Sequence, residues 1–274
     1  MSGKLINCIL FDSKAFFCLR MSKTCLMLAL ALFLVSCSPI WYKMKRRAEA
    51  EVAARASLSN KILLASDDFR NVSVNWVAES EDKCDLQYIE ADTCLDIKAS
   101  KGLTLWYKNP FEGDICIKYE ACVVDQKKVL DRVSDLNCFW MASDPQYQDD
   151  LFARTDFRKG VFGRYYSLQL YYLGFGGNSN TTTRFRRYDG NYDEFFTEMK
   201  RPEILFEYQD EAYLIKPNHW YSIEIKVKQG RVQYIQDGMV LIDYIDPMPL
   251  TKGWFGLRTT ENHMRVRNFA VYRL

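Results

Sequence analysis

The chain has 274 residues, of which 48% are hydrophobic and 15% are aromatic. This composition suffices to bury a core, and it excludes a disordered protein, a fibrous protein and one that crosses a membrane many times. A formal net charge of +2 gives no overall attraction to nucleic acid, which is therefore not expected as a partner. Any electrostatic selectivity must come from local clusters of charge.

The N-terminal region contains one long apolar run, residues 25–35, preceded by Lys23. The run is too short to span a bilayer, but its length suits the apolar region of a signal peptide; a short buried helix is the alternative. Its end, Leu34-Val35-Ser36-Cys37, resembles the lipobox of bacterial lipoproteins. The resemblance implies that residues 1–37 are a signal and lipobox region, and the length of a normal signal fits Met21 as the true start of the protein better than Met1. The resemblance also implies a lipid on Cys37 and a membrane-anchored protein on the periplasmic or cell-surface side.

Residues 38–65 are predicted to be a tether between the lipid and the folded domain. The part from 43 to 60 is rich in Ala, Glu, Arg and Lys and contains no Gly or Pro, which favours a helix. No residue type in this segment suggests catalysis. We therefore expect the functional part of the protein to begin after the tether.

From Ser66 onward, hydrophobic residues alternate with polar ones, and turn residues interrupt the pattern at short intervals. Residues 221–227 show this alternation, and Asp237-Gly238 between two such runs is a strong hairpin signal. Many short strands with few helical stretches predict an all-β jelly-roll β-sandwich over residues 66–274. Two polar stretches, 144–159 and 191–201, are predicted to be insertions that fold over one face of the sandwich.

Three motifs carry a family resemblance: Ser66-Asp67-Asp68-Phe69 followed by Trp76, the segment 218–221, and the closing segment 253–272. Together they resemble the concanavalin A-like lectin/glucanase superfamily, in which the first and last strands pair. Residues 131–141 and the opening stretch resemble, more narrowly, the bacterial domain of unknown function 6250 family. This resemblance implies export and a role beside the degradation of pectin and other glycans, and it brings no assigned catalytic residues. It also allows a structural calcium near Asp67 and Asp68; no other cofactor or metal is predicted.

Residues 164–190 are predicted to form a strand, a glycine-rich turn and a second strand. Tyr, Gln, Thr and Arg side chains share one predicted face, which either packs across the strands or binds a ligand. Arginine offers a planar fork for carboxylates and aromatic rings stack on sugars, so an acidic, uronate-containing oligosaccharide such as a pectin fragment is the expected ligand. The face comprises Tyr165, Gln169, Tyr171, Thr182, Arg184, Arg186 and Tyr188. The predicted substrate-binding residues are Asn137, Trp140, Arg164, Gln169, Tyr171, Asn178, Arg184, Arg186 and Arg258.

Two classes of function stay open, a polysaccharide lyase and a non-catalytic, lectin-like carbohydrate-binding protein. Elimination from a uronide needs a cation on the carboxylate together with a proton acceptor and a proton donor. The candidates for proton transfer are His263, Tyr166 and Tyr188, although a histidine at a loop edge can equally serve a structural hydrogen bond. The paired-acid signature Glu-x-Asp-x-x-Glu of related glucanases is absent, which disfavours hydrolysis by two carboxylates.

Five cysteines would follow a processed signal: Cys84, Cys94, Cys116, Cys122 and Cys138. An odd number cannot all pair, so buried free thiols are expected for most of them, and Cys84–Cys94 is the one candidate disulfide. No Cys-x-x-Cys or histidine-rich spacing suggests zinc.

Overall fold

The structure, a computed structural model, describes residues 61–147, 149–190 and 201–274. The predicted signal region, the lipidation site Cys37 and the predicted helical segment of the tether lie outside the described residues. So does most of the second predicted insertion, residues 191–200. No helix within the described ranges is long and apolar enough to cross a membrane.

The described chain is built almost entirely from antiparallel strands, as the alternating sequence pattern predicts. The first strand begins at Ile62, earlier than the predicted domain start at Ser66. The strands are β1 (Ile62–Asp67), β2 (Trp76–Ser80), β3 (Cys84–Ile89), β4 (Cys94–Tyr107), β5 (Phe111–Glu112), β6 (Ile115–Val123), β7 (Asn137–Ser143), β8 (Gln169–Gly176), β9 (Thr182–Asp189), β10 (Phe206–Tyr208), β11 (Tyr221–Lys228), β12 (Arg231–Gln236), β13 (Met239–Ile245) and β14 (Lys252–Arg273).

The strands form two sheets that share the long strands β4 and β14. Sheet 1 has the order β10-β9-β8-β7-β14-β4-β2, with residues 254–260 of β14 paired to β7 and β4. Sheet 2 has the order β13-β12-β11-β6-β14, and the later part of β14 also pairs with β1 and with the first part of β4, which carries β3. This is the predicted jelly-roll sandwich.

The first and last strands of the domain pair with each other, as the family resemblance implies. In this ladder Asp67 of β1 lies opposite Phe269 of β14. The Asp67 carboxylate then holds the following turn, because it accepts hydrogen bonds from the Phe69 backbone N–H at 2.5 Å and from Trp76 Nε1 at 3.0 Å. The turn contains the short helix Val72–Asn75, whose last residue also donates to Asp67.

The main hydrophobic core lies between the two sheets and is rich in aromatic rings. Trp140 of β7 and Tyr234 of β12 have ring centroids 6.4 Å apart, and Phe185 of β9 lies 5.7 Å from Tyr244 of β13. These contacts join sheet 1 to sheet 2. Since each sheet contributes alternate residues, the other face of sheet 1 points away from this core, and we call it the outer face of sheet 1.

The insertion between β7 and β8 covers half of the outer face of sheet 1, which confirms the prediction for the stretch that starts at residue 144. It consists of the 3-10 turn Leu151–Arg154, the helix Thr155–Arg158 and the 3-10 turn Phe162–Ser167. Its side chains build a second hydrophobic cluster with sheet 1, formed by Leu151, Tyr165 and Leu168 together with Trp106, Phe139, Ala142, Leu170, Tyr172, Tyr188 and Trp254. The remaining short helical segments are Glu90–Asp92, Gly177–Asn180 and Glu211–Tyr213.

A buried ion cluster fixes this insertion to the sheet. Arg158 of the insertion donates from Nη2 to Glu79 Oε1 of β2 at 2.7 Å, and its Nη1 lies 3.5 Å from Asp144. Glu79 Oε2 also accepts from the Tyr165 hydroxyl at 2.6 Å and from Trp106 Nε1 at 3.1 Å. Glu79, Asp144 and Arg158 are almost completely buried, so this half of the outer face is closed.

All five described cysteines are free, and the proposed Cys84–Cys94 disulfide is wrong. In the β3–β4 ladder Cys84 lies opposite Ala99, whereas Cys94 lies opposite Ile89 at the other end of β3. Five strand residues separate the two positions, roughly 17 Å, which is far beyond disulfide reach. Four of the thiols are buried, as expected.

Candidate functional site

The hairpin that the sequence singles out starts later than predicted. Its first strand turns the opposite set of alternate residues to the outer face from the set that was predicted, whereas Arg184, Arg186 and Tyr188 of its second strand share that face as predicted. Its first strand begins at Gln169, and the residues before it form the 3-10 turn of the insertion. Leu170 and Tyr172 point to the outer face of sheet 1, while Tyr171 points into the main core. The insertion covers one face of β8 and the core covers the other, so both faces are buried. The sequence of β8 therefore has no alternation of polar and apolar residues that would show which residues point to which face.

Two predicted sugar-binding residues therefore lie in the core, and their assignment to the binding face is wrong. Tyr171 and Trp140 are both 0% exposed. The Tyr171 hydroxyl donates to buried Asp246 at 2.6 Å and accepts from the Leu250 backbone N–H at 3.1 Å. A tyrosine can point into a core when its hydroxyl has a hydrogen-bond partner. The polarity of Tyr171 therefore did not indicate which face it occupies.

The uncovered half of the outer face of sheet 1 forms a groove. It consists of two adjoining cavities of about 300 and about 370 Å³ that share Asp135, Phe162, Tyr172 and Thr260. The first is also lined by Arg132, Gly174, Gly177, Asn178, Ser179, Thr182, Arg184, Arg186 and Arg201; the second is also lined by Glu81, Asn137, Val161, Gly163 and Arg258. Of the predicted substrate-binding residues, Asn137, Asn178, Arg184, Arg186 and Arg258 meet here.

Strand register explains how distant parts of the sequence reach this groove. Arg258 of β14 lies opposite Asn137 of β7, and Gly174 of β8 lies opposite Arg184 of β9. At Gly174 the absence of a side chain leaves room for the Tyr172 hydroxyl, since a Cβ there would lie 2.5 Å from that oxygen. The groove floor therefore crosses four neighbouring strands.

Two of the groove arginines have carboxylate partners. Arg184 Nε donates to Glu207 Oε2 at 2.9 Å, across the β9–β10 ladder. Arg132 Nη2 donates to Asp135 Oδ2 at 2.5 Å and to the Thr260 carbonyl oxygen at 2.7 Å. These two cations are neutralised by the chain itself.

Arg258 is buried without a carboxylate partner. It is 3% exposed, and its Nη1 donates to Thr104 Oγ1 at 3.1 Å and to the Gly160 carbonyl oxygen at 2.6 Å. Its guanidinium carbon lies 5.3 Å from the ring centroid of Phe162 and 5.1 Å from that of Tyr165. No carboxylate of the described ranges forms an ion pair with it. Glu81 of the same cavity is the acid beside it: its Oε2 and the Arg258 Nη2 lie 2.7 and 2.9 Å from the position that a Cβ on Gly102 would take, so the charge is balanced only at longer range.

Arg186 is the second buried guanidinium without a carboxylate. It is 4% exposed and donates from Nη1 to the Pro202 carbonyl oxygen. Burial lowers its pKa, and the neighbouring charge of Arg201 lowers the pKa further. Among the described residues no acidic side chain forms an ion pair with it, and its charge acts on the Glu207 carboxylate, whose pKa is lowered by Arg184 and then by Arg186.

Two further polar groups in the groove lack partners among the described residues. No group of the described residues hydrogen-bonds to the Tyr172 hydroxyl. Burial raises the pKa of this phenol, as does the Asp135 carboxylate, so it stays protonated and can donate. Asn137 donates from Nδ2 to Asp135 Oδ1 at 3.2 Å, while its buried Oδ1 has no partner. The groove thus offers donors and one acceptor to a polar ligand.

His263, the first candidate for proton transfer, does not line the groove. It is 3% exposed, with Nε2 2.8 Å from Asp96 Oδ1 and Nδ1 2.9 Å from Asp131 Oδ1. Burial opposes ionisation of Asp96, but hydrogen bonds from His263 and Arg265 outweigh it and lower the pKa of this carboxyl. His263 therefore links Asp96 of β4 to Asp131 in the loop between β6 and β7, and it is not available to a ligand in the groove.

The two predicted catalytic tyrosines lie under or within the insertion, outside the groove. Tyr188 is 0% exposed, its hydroxyl has no partner among the described residues, and burial raises its pKa well above the usual range. Tyr166 is half-buried, and its ring packs 5.6 Å from that of Tyr188 and 5.7 Å from that of Phe162. Both tyrosines are covered because the insertion folds over this part of sheet 1. The prediction of a hairpin from residue 164 onward did not include that cover.

The remaining predicted binding residues have structural contacts. Arg164 donates to the Phe157 carbonyl oxygen at 2.5 Å within the insertion, and Gln169 donates to the Asp189 carbonyl oxygen at 3.3 Å; neither lines the groove. Asn178 does line it, from a turn in which Asn178, Ser179 and Asn180 all have positive φ. Asparagine tolerates this left-handed conformation better than most residues, which explains the sequence of the turn.

Several groove residues were missed by sequence reasoning, namely Tyr172, Arg132, Asp135, Phe162 and Arg201. Asp135 lies within residues 131–141, which the sequence marks as family-like, so that motif was the available signal. Phe162 belongs to the insertion, whose path over the sheet has no local sequence signature.

The described residues contain no group of three or more His, Cys, Asp or Glu side chains arranged to hold a metal ion. Near the predicted calcium position, Asp67 is engaged by the turn that follows β1, and Asp68 Oδ1 accepts from the Arg70 backbone N–H at 3.1 Å.

Solved structures similar to this chain share its fold. A Bacillus subtilis protein of unknown function with a galectin-like fold aligns with a TM-score of 0.59 at 18% identity, covering 77% of this chain and 96% of that chain. The VIP36 exoplasmic/lumenal domain, in a form bound to Ca²⁺ and mannose, aligns with a TM-score of 0.51 at 14% identity, covering 78% and 92%. No curated protein matches the chain.

The sequence model of the family described as Domain of unknown function (DUF6250) matches residues 97–269. This range includes β6 to β13 and most of β4 and β14, and every groove-lining residue except Glu81. Because the match covers more than half of the chain, the protein belongs to the DUF6250 family.

Proposed function

We propose that the groove binds an acidic oligosaccharide, such as a pectin-like fragment or another uronate-containing chain, without chemical conversion. The observation that carries this proposal is the pair of buried guanidinium groups, Arg186 and Arg258, that form no ion pair with any carboxylate of the described residues. Burying a charge without a partner costs several kcal/mol, so each group gains much from a bound anion. A carboxylate suits this role because it accepts two parallel hydrogen bonds from one guanidinium.

The other groove residues favour a sugar over a simple anion. The Phe162 ring lines both cavities and offers an apolar surface for a sugar ring, while the Tyr172 hydroxyl and Asn137 Oδ1 offer hydrogen bonds to hydroxyl groups. The VIP36 domain, which shares the fold, is described in a mannose-bound form. A sandwich of this kind is thus compatible with a carbohydrate ligand.

Binding without chemistry is favoured over a lyase because the predicted proton carriers lie outside the groove and the acids that line it are engaged by the chain. Asp135 pairs with Arg132, and Glu81 Oε2 accepts from the Gly102 backbone N–H at 3.0 Å. Neither His263 nor Tyr188 lines the groove, and Tyr172 is a phenol whose pKa is raised by burial, so it can donate a proton but is a poor acceptor at neutral pH. An elimination requires both a proton acceptor and a proton donor. The lyase is therefore the alternative that the test must address.

The test is calorimetric titration of the purified domain with oligogalacturonate, comparing the wild type with Arg258→Gln. We expect the substitution to weaken binding roughly 10- to 100-fold, because a hydrogen bond to a charged group contributes about 1.5–3 kcal/mol. Arg231→Gln is the matched control, since Arg231 on β12 is exposed and pairs with Asp243 away from the groove. Equal affinities of the three proteins, or no binding to any acidic oligosaccharide, would refute the proposal.

The same mixtures decide between binding and catalysis. Ultraviolet absorbance from an unsaturated uronide product, growing with time and lost in Tyr172→Phe, would establish a lyase instead. We expect no such signal while binding is retained.

We also propose that Cys37 carries a lipid that anchors the domain to a bacterial membrane, on the basis of the lipobox-like sequence Leu34-Val35-Ser36-Cys37. Acylation there would place the groove outside the cytoplasm, where polysaccharide is accessible. Mass analysis of the protein expressed in a bacterium should show a lipidated N-terminus at Cys37, and Cys37→Ser should release the protein from the membrane fraction. An unmodified chain that begins before Cys37 would contradict this.

A further inference from the structure

The two unpaired arginines lie at opposite ends of the groove. Arg258 is on β14 and Arg186 is on β9, and strands β7 and β8 lie between them. Neighbouring strands are about 4.8 Å apart, so the backbones at the two positions are separated by roughly 14 Å. The side chains do not shorten this separation, because Arg258 reaches over β4 to Thr104 and Arg186 reaches towards Pro202 in the segment that leads into β10. A single carboxylate, or one sugar ring with one carboxylate, cannot bridge the two guanidinium groups. Each arginine must therefore receive its own anionic group.

The floor between the two arginines is formed by Gly174, by the Tyr172 hydroxyl that leans over it, and by Asn137. Two other cations of the groove, Arg132 and Arg184, are neutralised by Asp135 and Glu207, while Arg201 adds positive charge beside Arg186. An uncharged part of a ligand, or one whose charge points to solvent, fits this section.

From this arrangement we infer that the groove selects oligosaccharides with at least two anionic groups held several sugar units apart, and discriminates against single acidic sugars. The inference rests on the proposed function and adds the ligand's minimum length and charge spacing. Both ends of the site sit on strands of one sheet, so the spacing is fixed by backbone hydrogen bonds rather than by flexible loops. The ligand must match the spacing, because the sheet cannot adjust to it.

A chain-length series tests this inference. Galacturonic acid and its di-, tri-, tetra- and pentamers are titrated into the wild-type domain by calorimetry. We expect affinity to rise steeply, by at least tenfold, at the length that first spans both arginines, and to rise little beyond it. Linking two anion contacts in one ligand makes the second contact intramolecular, which is the source of the step.

Single substitutions at each end sharpen the result. Arg186→Gln should abolish the step and bring the long oligomers down to the affinity of the short ones, while the short ones change less than about threefold. Arg258→Gln should abolish the step in the same way, and Arg231→Gln should leave it intact. Arg186→Lys, which keeps the charge, should retain part of it. Thermal unfolding of each variant checks that the fold is intact.

Three outcomes would overturn the inference. Equal affinity for the monomer and the pentamer in the wild type would show a single anion position, and the proposed function would then still stand. A step that survives Arg186→Gln would show that Arg186 is not the second position. Absence of binding to every acidic saccharide would remove the proposed function as well.

Discussion

The outer face of sheet 1 has two halves with similar side chains and opposite arrangements of charge. Under the insertion, Arg158 is enclosed by Glu79 and Asp144, and Tyr165 donates to Glu79. In the groove, Arg258 and Tyr172 occupy the same face, and no carboxylate of the described residues forms an ion pair or hydrogen bond with either; Arg258 donates only to the neutral oxygens of Thr104 and Gly160. Both halves use buried arginine and tyrosine, but only the covered half supplies the counter-charge.

This difference separates structural polar residues from residues available to a ligand. A buried arginine that the chain neutralises holds two segments together, and removing it leaves a buried carboxylate behind. An arginine that the chain leaves unpaired contributes little to folding and is poised for an external anion. The presence of arginine and tyrosine side chains therefore does not by itself locate the site. The position of Glu79 distinguishes the two halves, because Glu79 binds Arg158 and Tyr165 in the covered half.

The largest expected effect is on stability in the covered half. Arg158→Met should lower the free energy of unfolding by about 3–5 kcal/mol, because it leaves Glu79 and Asp144 buried without their cation. Arg258→Met should change it by less than about 1.5 kcal/mol, because the loss of two hydrogen bonds from the guanidinium is offset by no longer burying a charge that has no ion-pair partner among the described residues. Urea denaturation followed by circular dichroism measures both values.

Similar losses for Arg158→Met and Arg258→Met would break the comparison. They would mean that Arg258 is as structural as Arg158 and that the groove is not preorganised for an anion. If Arg258→Met bound the acidic oligosaccharide with the affinity of the wild type, the binding measurement would support the same conclusion.

A smaller effect is expected for the two tyrosines. Tyr165→Phe removes a 2.6 Å hydrogen bond to Glu79 and should cost about 1.5–3 kcal/mol of stability. Tyr172→Phe removes a hydroxyl that has no hydrogen-bond partner among the described residues, so the free energy of unfolding should change by less than about 0.5 kcal/mol. Binding of the acidic oligosaccharide should nevertheless weaken about 3- to 10-fold, as for the loss of one ordinary hydrogen bond.

Calorimetry and urea denaturation of the same two tyrosine variants provide the check. If Tyr172→Phe destabilises the domain while ligand affinity is unchanged, its hydroxyl belongs to the fold and not to the site. A matching change in both measurements for Tyr165→Phe would point to a covered half that opens during binding.

The sequence by itself determined the fold class. Period-two alternation, as in residues 221–227, and the hairpin signal at Asp237-Gly238 follow from backbone geometry that acts over a few residues. The pairing of the first and last strands followed from the family-like motifs at Asp67 and Phe269. The sequence also identified Arg184, Arg186 and Arg258 as anion-binding candidates, because an arginine within a predicted strand can be recognised from the sequence alone.

Only the tertiary structure decided which of these arginines is free to bind. Arg184 is neutralised by Glu207 and Arg186 is not, a difference that depends on the pairing of β9 with β10. The tertiary structure also decided that Tyr172 rather than Tyr171 faces the groove. Both faces of β8 are covered, so the polarity of its residues does not show which of them point to the outer face. Strand register, the path of the insertion and the placement of counter-charges are long-range properties, and they convert a list of polar residues into a site.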